Sequence, residues 1–158
     1  MRETLQVLLQ LRSEGLLARF AIGGAVAASY YAEAVATEDL DVFALLTPLY
    51  ARLKELGASL QNEHVVIHGW TVQIVPAYTP LVEEAVAGAI EHPFQDLAVP
   101  VVSAEHLCAI ALQTGRPKDY LRIHSLIEAG CVDSAALARM IEQHGLSGRW
   151  SIYARRYA

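Results

Sequence analysis

The stretch FAIGGAVAASYYAEAVATEDLDVFALL, residues 20–46, decides the fold expected for this chain. It opens with a short apolar strand that ends at Gly23 and Gly24. An alanine-rich segment without a helix breaker follows, so a helix is expected to begin at the second glycine. The next segment, DLDVFALL, has the β-branched and aromatic residues of a buried strand. The stretch therefore predicts a strand, a glycine turn, a helix and a second strand.

The composition of the chain indicates a folded protein. It has 158 residues, a hydrophobic fraction of 54%, a mean hydropathy of +0.30 and a net charge of −5. These values exclude a disordered chain. No apolar run reaches the roughly 18 residues that a membrane span needs. We expect a cytoplasmic protein with no membrane partner, in which the two distant cysteines, Cys108 and Cys131, are free thiols.

The remaining chain is predicted to alternate helices and strands and then to become helical. We expect one α+β domain over residues 1–158, with an α/β core at 1–102 and a helical C-terminal part at 103–158. Two strands joined by a turn are expected within 63–77, and one strand at 97–103. A first helix is predicted from residue 3 to Gly15 or just past it, and further helices at 47–58, 79–92, 104–113 (capped by Ser103), 119–129 and 134–144.

Two aspartates at the start of the second strand are the first candidate for chemistry. Side chains alternate along a strand, so Asp39 and Asp41 point to the same face, roughly 7 Å apart. Phe43 and Leu45 share that face, which is acidic at its start and apolar further in. Two like charges repel each other, and Mg²⁺ would relieve this repulsion because it prefers carboxylate oxygens. Solvated aspartates at an exposed strand end are the alternative.

The glycine pair before the helix is the second candidate. A helix N-terminus presents unpaired N–H groups to an anion, and glycine lets the backbone approach a phosphate closely. A tight turn with positive φ explains the same glycines without a ligand. Phosphate-binding amides on one element and metal-binding carboxylates on the next are what a nucleoside triphosphate with Mg²⁺ requires.

These residues carry a resemblance to a known family. GGAVAASYYAEAVATEDLDVF, residues 23–43, resembles the signature of the nucleotidyltransferase superfamily of the DNA polymerase β type. It is closest to the small bacterial branch that includes AbiEii-like toxins. That branch has two glycines, a helix of small residues and then Thr-x-Asp-x-Asp, here Thr37, Asp39 and Asp41.

A later segment is similar to the C-terminal motif of the same branch. It is VPVVSAEHLCAIALQTGRPKDYLRIHSLIEAG, residues 99–130, in which one helix leads to Arg-x-Lys-Asp and then to a second helix. The motif residues are Arg116, Lys118 and Asp119. The two similarities together span about residues 20–130.

The resemblance implies a mixed β-sheet flanked by helices. It also implies transfer of a nucleoside monophosphate from an NTP to an acceptor, with release of pyrophosphate. In this reading Asp39 and Asp41 bind Mg²⁺ and are catalytic together with Lys118, which offsets phosphate charge or orients the acceptor. Asp119 ties either Lys118 or the start of its helix in place. Contacts to the nucleotide are expected from Gly23, Gly24, Thr37, Arg116 and Lys118.

The resemblance leaves the acceptor open among RNA, a protein and a small molecule. It also suggests a toxin–antitoxin system with a cognate antitoxin as partner. The C-terminal tail carries three arginines between aromatic residues, a pattern that suits an RNA acceptor, although a packed or frayed C-terminus is the favoured interpretation. These tail residues are Arg149, Trp150, Tyr153, Arg155, Arg156 and Tyr157.

One position departs from the family pattern. Active members bring a third carboxylate from a neighbouring strand, and the aligned position here is Gln73. An amide supplies neither negative charge nor a general base. His68, Glu83 or Glu84 are candidates to compensate. The second hypothesis is therefore a catalytically degenerate member of the fold that binds a nucleotide or a partner.

Overall fold

The computed structural model describes residues 1–17, 19–33, 36–44, 59–61, 64–77 and 79–157. The helix predicted at 47–58 and the strand end at Leu45 and Leu46 lie outside the described residues. The helices in the described ranges are α1 (Arg2–Ser13), α2 (Gly24–Ala28), α3 (Pro80–Ala87), α4 (Ala104–Thr114), α5 (Pro117–Glu128), α6 (Ser134–Gln143) and α7 (Ser147–Tyr157). The strands are β1 (Phe20–Ile22), β2 (Asp39–Ala44), β3 (Ser59–Gln61), β4 (His64–Ile67), β5 (Trp70–Pro76), β6 (Ile90–Phe94) and β7 (Leu97–Val101).

The strands of the described residues form one mixed sheet in the order β3-β4-β5-β2-β1-β7-β6. β2 lies in the middle, antiparallel to β1 and parallel to β5, and β1 is parallel to β7. After β7 the described chain is helical as far as Tyr157. The predicted α+β class, with a mixed sheet flanked by helices, is confirmed.

Strand β2 separates the core from the site. Leu40, Val42 and Ala44 are fully buried on one face. On the other face Asp39 is exposed, Asp41 is half-buried and Phe43 is buried. The predicted change from acidic to apolar along this face is therefore present.

The glycine pair brings β1, α2 and β2 together. The Gly23 N–H donates to the Asp41 carbonyl oxygen at 2.9 Å, which extends the pairing of β1 with β2. Gly24 begins α2, as predicted, with φ at +58°. A Cβ on Gly24 would overlap the Asp41 carboxylate. Helix α2 ends at Ala28, earlier than the alanine-rich segment suggested.

The helix predicted at 79–92 is too long. Thr79 caps α3, and its hydroxyl accepts from the Val82 N–H at 3.3 Å, but the helix ends at Ala87. The following residues, Ile90–Phe94, form β6 and pair antiparallel with β7. This segment is a strand because it pairs with β7, which comes later in the chain. The local sequence pattern, which is typical of a helix, does not reveal that pairing.

The tail forms a packed helix, which confirms the second of the two readings of its sequence. In α7 Tyr153 is 2% exposed, and its ring stacks on Tyr157 with centroids 5.6 Å apart. The Tyr120 ring of α5 lies 6.2 Å from that of Tyr153. None of the helices in the described ranges combines the length and the hydropathy needed to cross a bilayer.

We predict that Gly24→Ala destabilises the protein more than Gly145→Ala does. Both glycines have positive φ, +58° and +65°, and alanine in that region costs roughly 1–2 kcal/mol. A Cβ at Gly145 meets open space, whereas one at Gly24 displaces the Asp41 carboxylate. Urea unfolding measures both losses. Equal losses would contradict the close contact, and an Asp41→Ala background should reduce the difference.

Candidate functional site

Two adjacent cavities meet at the carboxylate of Asp41. The charged cavity, of about 400 Å³, lies between β2, α2 and α5. The neighbouring cavity, of about 240 Å³, lies between the sheet, α3 and α4. Four residues line both cavities, namely Asp41, Gln73, Arg116 and Arg122.

The charged cavity brings acidic and basic side chains together. Its acids are Glu33, Asp39 and Asp41, and its bases are Arg116, Lys118 and Arg122. Two of the acids come from the middle strand of the sheet, and all three bases come from α5 or the residue before it. Opposite charges on separate elements, with open space between them, can hold a molecule that carries both phosphates and a cation.

The register of β2 with β5 places Gln73 directly beside Asp41. Thr71 occupies the corresponding place beside Asp39. The side chain of Gln73 is exposed and lines both cavities. The neighbouring-strand position at which the family resemblance expects a third carboxylate therefore carries an amide in this chain.

The surroundings of Asp41 shift the pKa of its carboxyl group. Burial raises the pKa of Asp41 above its ordinary value, the Arg122 guanidinium opposes this effect, and the Asp39 carboxylate adds to it. Lys118 and Arg116 also act to lower the pKa of Asp41. The charges that act on the Asp41 carboxylate therefore include Asp39 from the first predicted motif and Arg116 and Lys118 from the second. The fold thus brings the two motifs into one site.

Asp119 fixes the start of α5. Its carboxylate is 1% exposed and accepts from the backbone N–H of Arg116 at 3.1 Å. It also accepts from Arg116 Nε at 2.8 Å and Arg116 Nη2 at 3.2 Å, and Arg122 Nη1 lies 3.9 Å away. A buried carboxylate with these partners holds both guanidinium groups near the cavity. Holding the helix start is one of the two roles that the resemblance implies for Asp119.

The structure places the other predicted residues as follows. Thr37 lines the charged cavity, and its hydroxyl lies 3.2 Å from the Asp39 backbone nitrogen. Gly24 lines the neighbouring cavity, whereas Gly23 lines neither and its N–H is bound to the Asp41 carbonyl oxygen. The phosphate contact expected of the Gly23 amide therefore has no free donor.

The residues expected to compensate for Gln73 lie elsewhere. His68 is in the turn after β4, where Nδ1 lies 3.7 Å from Glu3 Oε2. Glu84 Oε2 lies 2.8 Å from His144 Nε2. Neither these residues nor Glu83 line the charged or the neighbouring cavity.

Two residues of the charged cavity were not expected from the sequence. Arg122 follows Lys118 by four positions, a spacing that puts both on one face of a helix, so this signal was present in the sequence. Glu33 lies in the segment between α2 and β2, within the quoted signature stretch but at none of its motif positions. Its place in the cavity depends on where that segment folds.

A third cavity, of about 470 Å³, lies between the last three helices. Its walls are mainly apolar and aromatic, with Leu137, Ile141, Trp150 and Tyr153 among them. It contains none of the sequence-predicted site residues. Volume alone does not make it the candidate active site, because the paired carboxylates and the basic residues lie elsewhere.

Comparison with known proteins identifies the fold. The structure is similar to a solution structure of the antibiotic-resistance factor ANT(2'')-Ia, with a TM-score of 0.56 and 20% identity, over 98% of this chain and 94% of the other. It is also similar to a crystal structure of ANT(2'')-Ia in complex with adenylyl-2''-tobramycin, with a TM-score of 0.59 and 17% identity over the whole of both chains. The chain has a nucleotidyltransferase-like fold.

A third similar structure comes from a different source. It is an antigenic nucleotidyltransferase-like protein from Paracoccidioides brasiliensis, with a TM-score of 0.58 and 16% identity, over 94% of this chain and 92% of the other. No protein-family model matches the sequence, and no curated protein matches it. At these identities the similarity shows the nucleotidyltransferase-like fold and leaves the reaction to be inferred from the site.

We predict that Asp41→Asn raises the Tm of the ligand-free protein at neutral pH. A carboxyl whose folded pKa is raised costs stability above its unfolded pKa of about 3.9, and that cost disappears as the pH falls below this value. The gain in Tm should therefore be largest near neutral pH and absent in acid. Thermal unfolding over this pH range measures it, with Glu38→Gln as the control at an exposed acid outside both cavities. A loss of Tm at neutral pH would contradict the electrostatic account.

Proposed function

We propose that the chain is a nucleotidyltransferase that transfers a nucleoside monophosphate from an NTP to an acceptor and releases pyrophosphate. One observation carries the proposal. The charged cavity has paired aspartates on the middle strand and three basic side chains on the opposite helix, all around Asp41. A triphosphate with a divalent cation has the matching distribution of charge.

The chemistry of the donor set fits Mg²⁺. Asp39 and Asp41 offer carboxylate oxygens from one face of β2, and burial together with the Asp39 charge keeps the pKa of Asp41 raised. A divalent cation would offset this repulsion. No group of three or more His, Cys, Asp or Glu residues within the described ranges is arranged to hold a metal. The two aspartates would therefore hold Mg²⁺ together with phosphate oxygens and water, and the ion would supply charge neutralisation at the phosphates.

The basic residues of α5 would bind and orient the triphosphate. Asp119 holds the Arg116 guanidinium in place, so Arg116 is preorganised, and Arg122 is held at its other side. Lys118 is exposed at the same cavity and can follow the phosphates as a flexible cation. Gly24 has no Cβ, and the Asp41 carboxylate occupies the space that a Cβ would fill.

The acceptor and the biological setting are narrower proposals. ANT(2'')-Ia has been crystallised with an adenylylated tobramycin, so a small hydroxyl compound is one acceptor to test. RNA or a protein acceptor and a cognate antitoxin rest on the resemblance of the motifs to the AbiEii-like branch, whereas the cytoplasmic location rests on the apolar runs of the sequence, which are too short for a membrane span. The packed aromatic rings of α7 give less support to RNA, because Tyr153 is buried against its neighbours.

A second candidate function is nucleotide binding without catalysis. The position of Gln73 beside Asp41 favours it, since an amide there cannot accept the proton of an attacking hydroxyl. Both functions require binding of NTP with Mg²⁺. They differ in whether pyrophosphate is released.

We predict that a non-hydrolysable NTP raises the Tm of the wild-type chain only when Mg²⁺ is present. Asp39→Asn should weaken this Mg²⁺-dependent binding by about tenfold or more, which corresponds to about 1.4 kcal/mol. Lys118→Ala should also weaken binding in the presence of Mg²⁺, because it removes a phosphate contact. Calorimetric titration measures both effects.

The matched controls are Glu38→Gln for the aspartate and Arg139→Ala for the lysine, since both residues are exposed and line neither cavity. Release of pyrophosphate with tRNA, a protein or tobramycin as acceptor then separates the transferase from the binding protein. A chain that shows no NTP-dependent rise in Tm contradicts both functions.

A further inference from the structure

The charged cavity contains one carboxylate, that of Glu33, which is not among the proposed metal ligands. Glu33 follows the turn after α2 and lines the cavity together with Asp39 and Asp41. It is exposed, and it makes no hydrogen bond or ion pair with the residues that the structure describes. Within those residues it belongs to no group of three ligands arranged to hold a metal. Among the described residues no side chain or backbone group engages its carboxylate, which can therefore act on a molecule in the cavity.

The segment before Glu33 is anchored, so its position is defined by contacts. The Tyr31 hydroxyl lies 3.2 Å from His92 Nε2 on β6, and the Cys131 thiol donates to the Tyr31 carbonyl oxygen. The Ala32 N–H donates to the Ala28 carbonyl oxygen at 2.9 Å, which continues the turn of α2. These contacts hold Tyr31, two residues before Glu33, against the sheet and the loop after α5.

The other acids of the two cavities already have partners or roles. Asp119 is buried and accepts three hydrogen bonds from Arg116. Asp39 and Asp41 are the proposed metal ligands. Among the described residues that line the two cavities, Glu33 is the remaining acid.

We propose that Glu33 is the proton acceptor of the transfer reaction, in place of the carboxylate that Gln73 lacks; this assignment rests on the proposed function. The acceptor hydroxyl gives its proton to the Glu33 carboxylate as its oxygen bonds to the α-phosphorus. The bond between the α-phosphorus and the bridging oxygen breaks, and pyrophosphate leaves with the electron pair. In this arrangement Asp39 and Asp41 of the sheet would hold the cation, and Glu33, in the segment after α2, removes the proton.

The experiment uses the full chain with Mg²⁺ and each of the four common NTPs, and it measures pyrophosphate release. The acceptor is water alone in one set of reactions, and tRNA, a protein or tobramycin in the others. Glu33→Gln should lower the rate at saturating NTP by about 10²-fold, the usual size of a general-base effect. The KM for NTP and the Mg²⁺-dependent rise in Tm should not change. Glu33→Asp should retain part of the rate, and Glu38→Gln should stay within about twofold of wild type.

A rescue variant separates proton removal from folding. The register puts residue 73 beside Asp41, so Gln73→Asp in the Glu33→Gln background supplies a carboxylate from the neighbouring strand. We expect this double variant to regain activity over Glu33→Gln. A Glu33→Gln variant with the wild-type rate overturns the assignment, and so does one that loses NTP binding in proportion to its rate.

The two proposals fail in different ways. If NTP and Mg²⁺ leave the Tm of the wild-type chain unchanged, the proposed function is wrong and the assignment of Glu33 is wrong with it. If the wild-type chain binds NTP and releases no pyrophosphate under any of these conditions, nucleotide binding stands, whereas the transfer reaction and the assignment of Glu33 are both overturned. If the wild-type chain releases pyrophosphate and Glu33→Gln does so at the same rate, the assignment of Glu33 alone is overturned.

Discussion

The site depends on the close approach of Gly24 to Asp41. The backbone of Gly24 takes a positive φ, and the absence of a Cβ leaves the space in which the Asp41 carboxylate lies. The Gly23 N–H ties the same turn to the Asp41 backbone. This contact fixes where α2 begins and how deeply the acid of β2 is buried. The glycine pair thus has a structural reason that holds whether or not a phosphate binds there.

Burying Asp41 has an electrostatic cost that the C-terminal helices offset in part. Arg122, Lys118 and Arg116 each act to lower the pKa that burial raises. They reach the site because Asp119 holds the start of α5. The acid and the bases lie about 80 residues apart in the sequence, so the helical part is needed to complete the charge distribution of the sheet. A ligand with both phosphates and a cation would satisfy each set of charges with its opposite.

The sequence predicted those features that local chemistry determines. Alternation along β2 placed Asp39 and Asp41 on one face, and Thr79 and Ser103 cap the helices that they precede. Strand β6 was missed because its partner β7 decides it, and its own residues continue a helix pattern. Glu33 was missed for a related reason, since contacts of Tyr31, two residues earlier, with distant parts of the chain hold this segment at the cavity. Long-range contacts of this kind leave no local pattern to recognise.

The pairing of β2 with β5 also limits how this chain can carry out catalysis. In a parallel pair one position of β5 lies beside Asp41, and that position is Gln73. The amide removes a third negative charge from a place where burial already raises the pKa of Asp41, so it eases the repulsion within the ligand-free site. With an amide at this position, the sheet also lacks the carboxylate that would accept the proton of the attacking hydroxyl. A chain with this register can transfer a nucleotide by acid–base chemistry if another element supplies the acceptor. The choice between transferase and binding protein therefore depends on a segment outside the sheet.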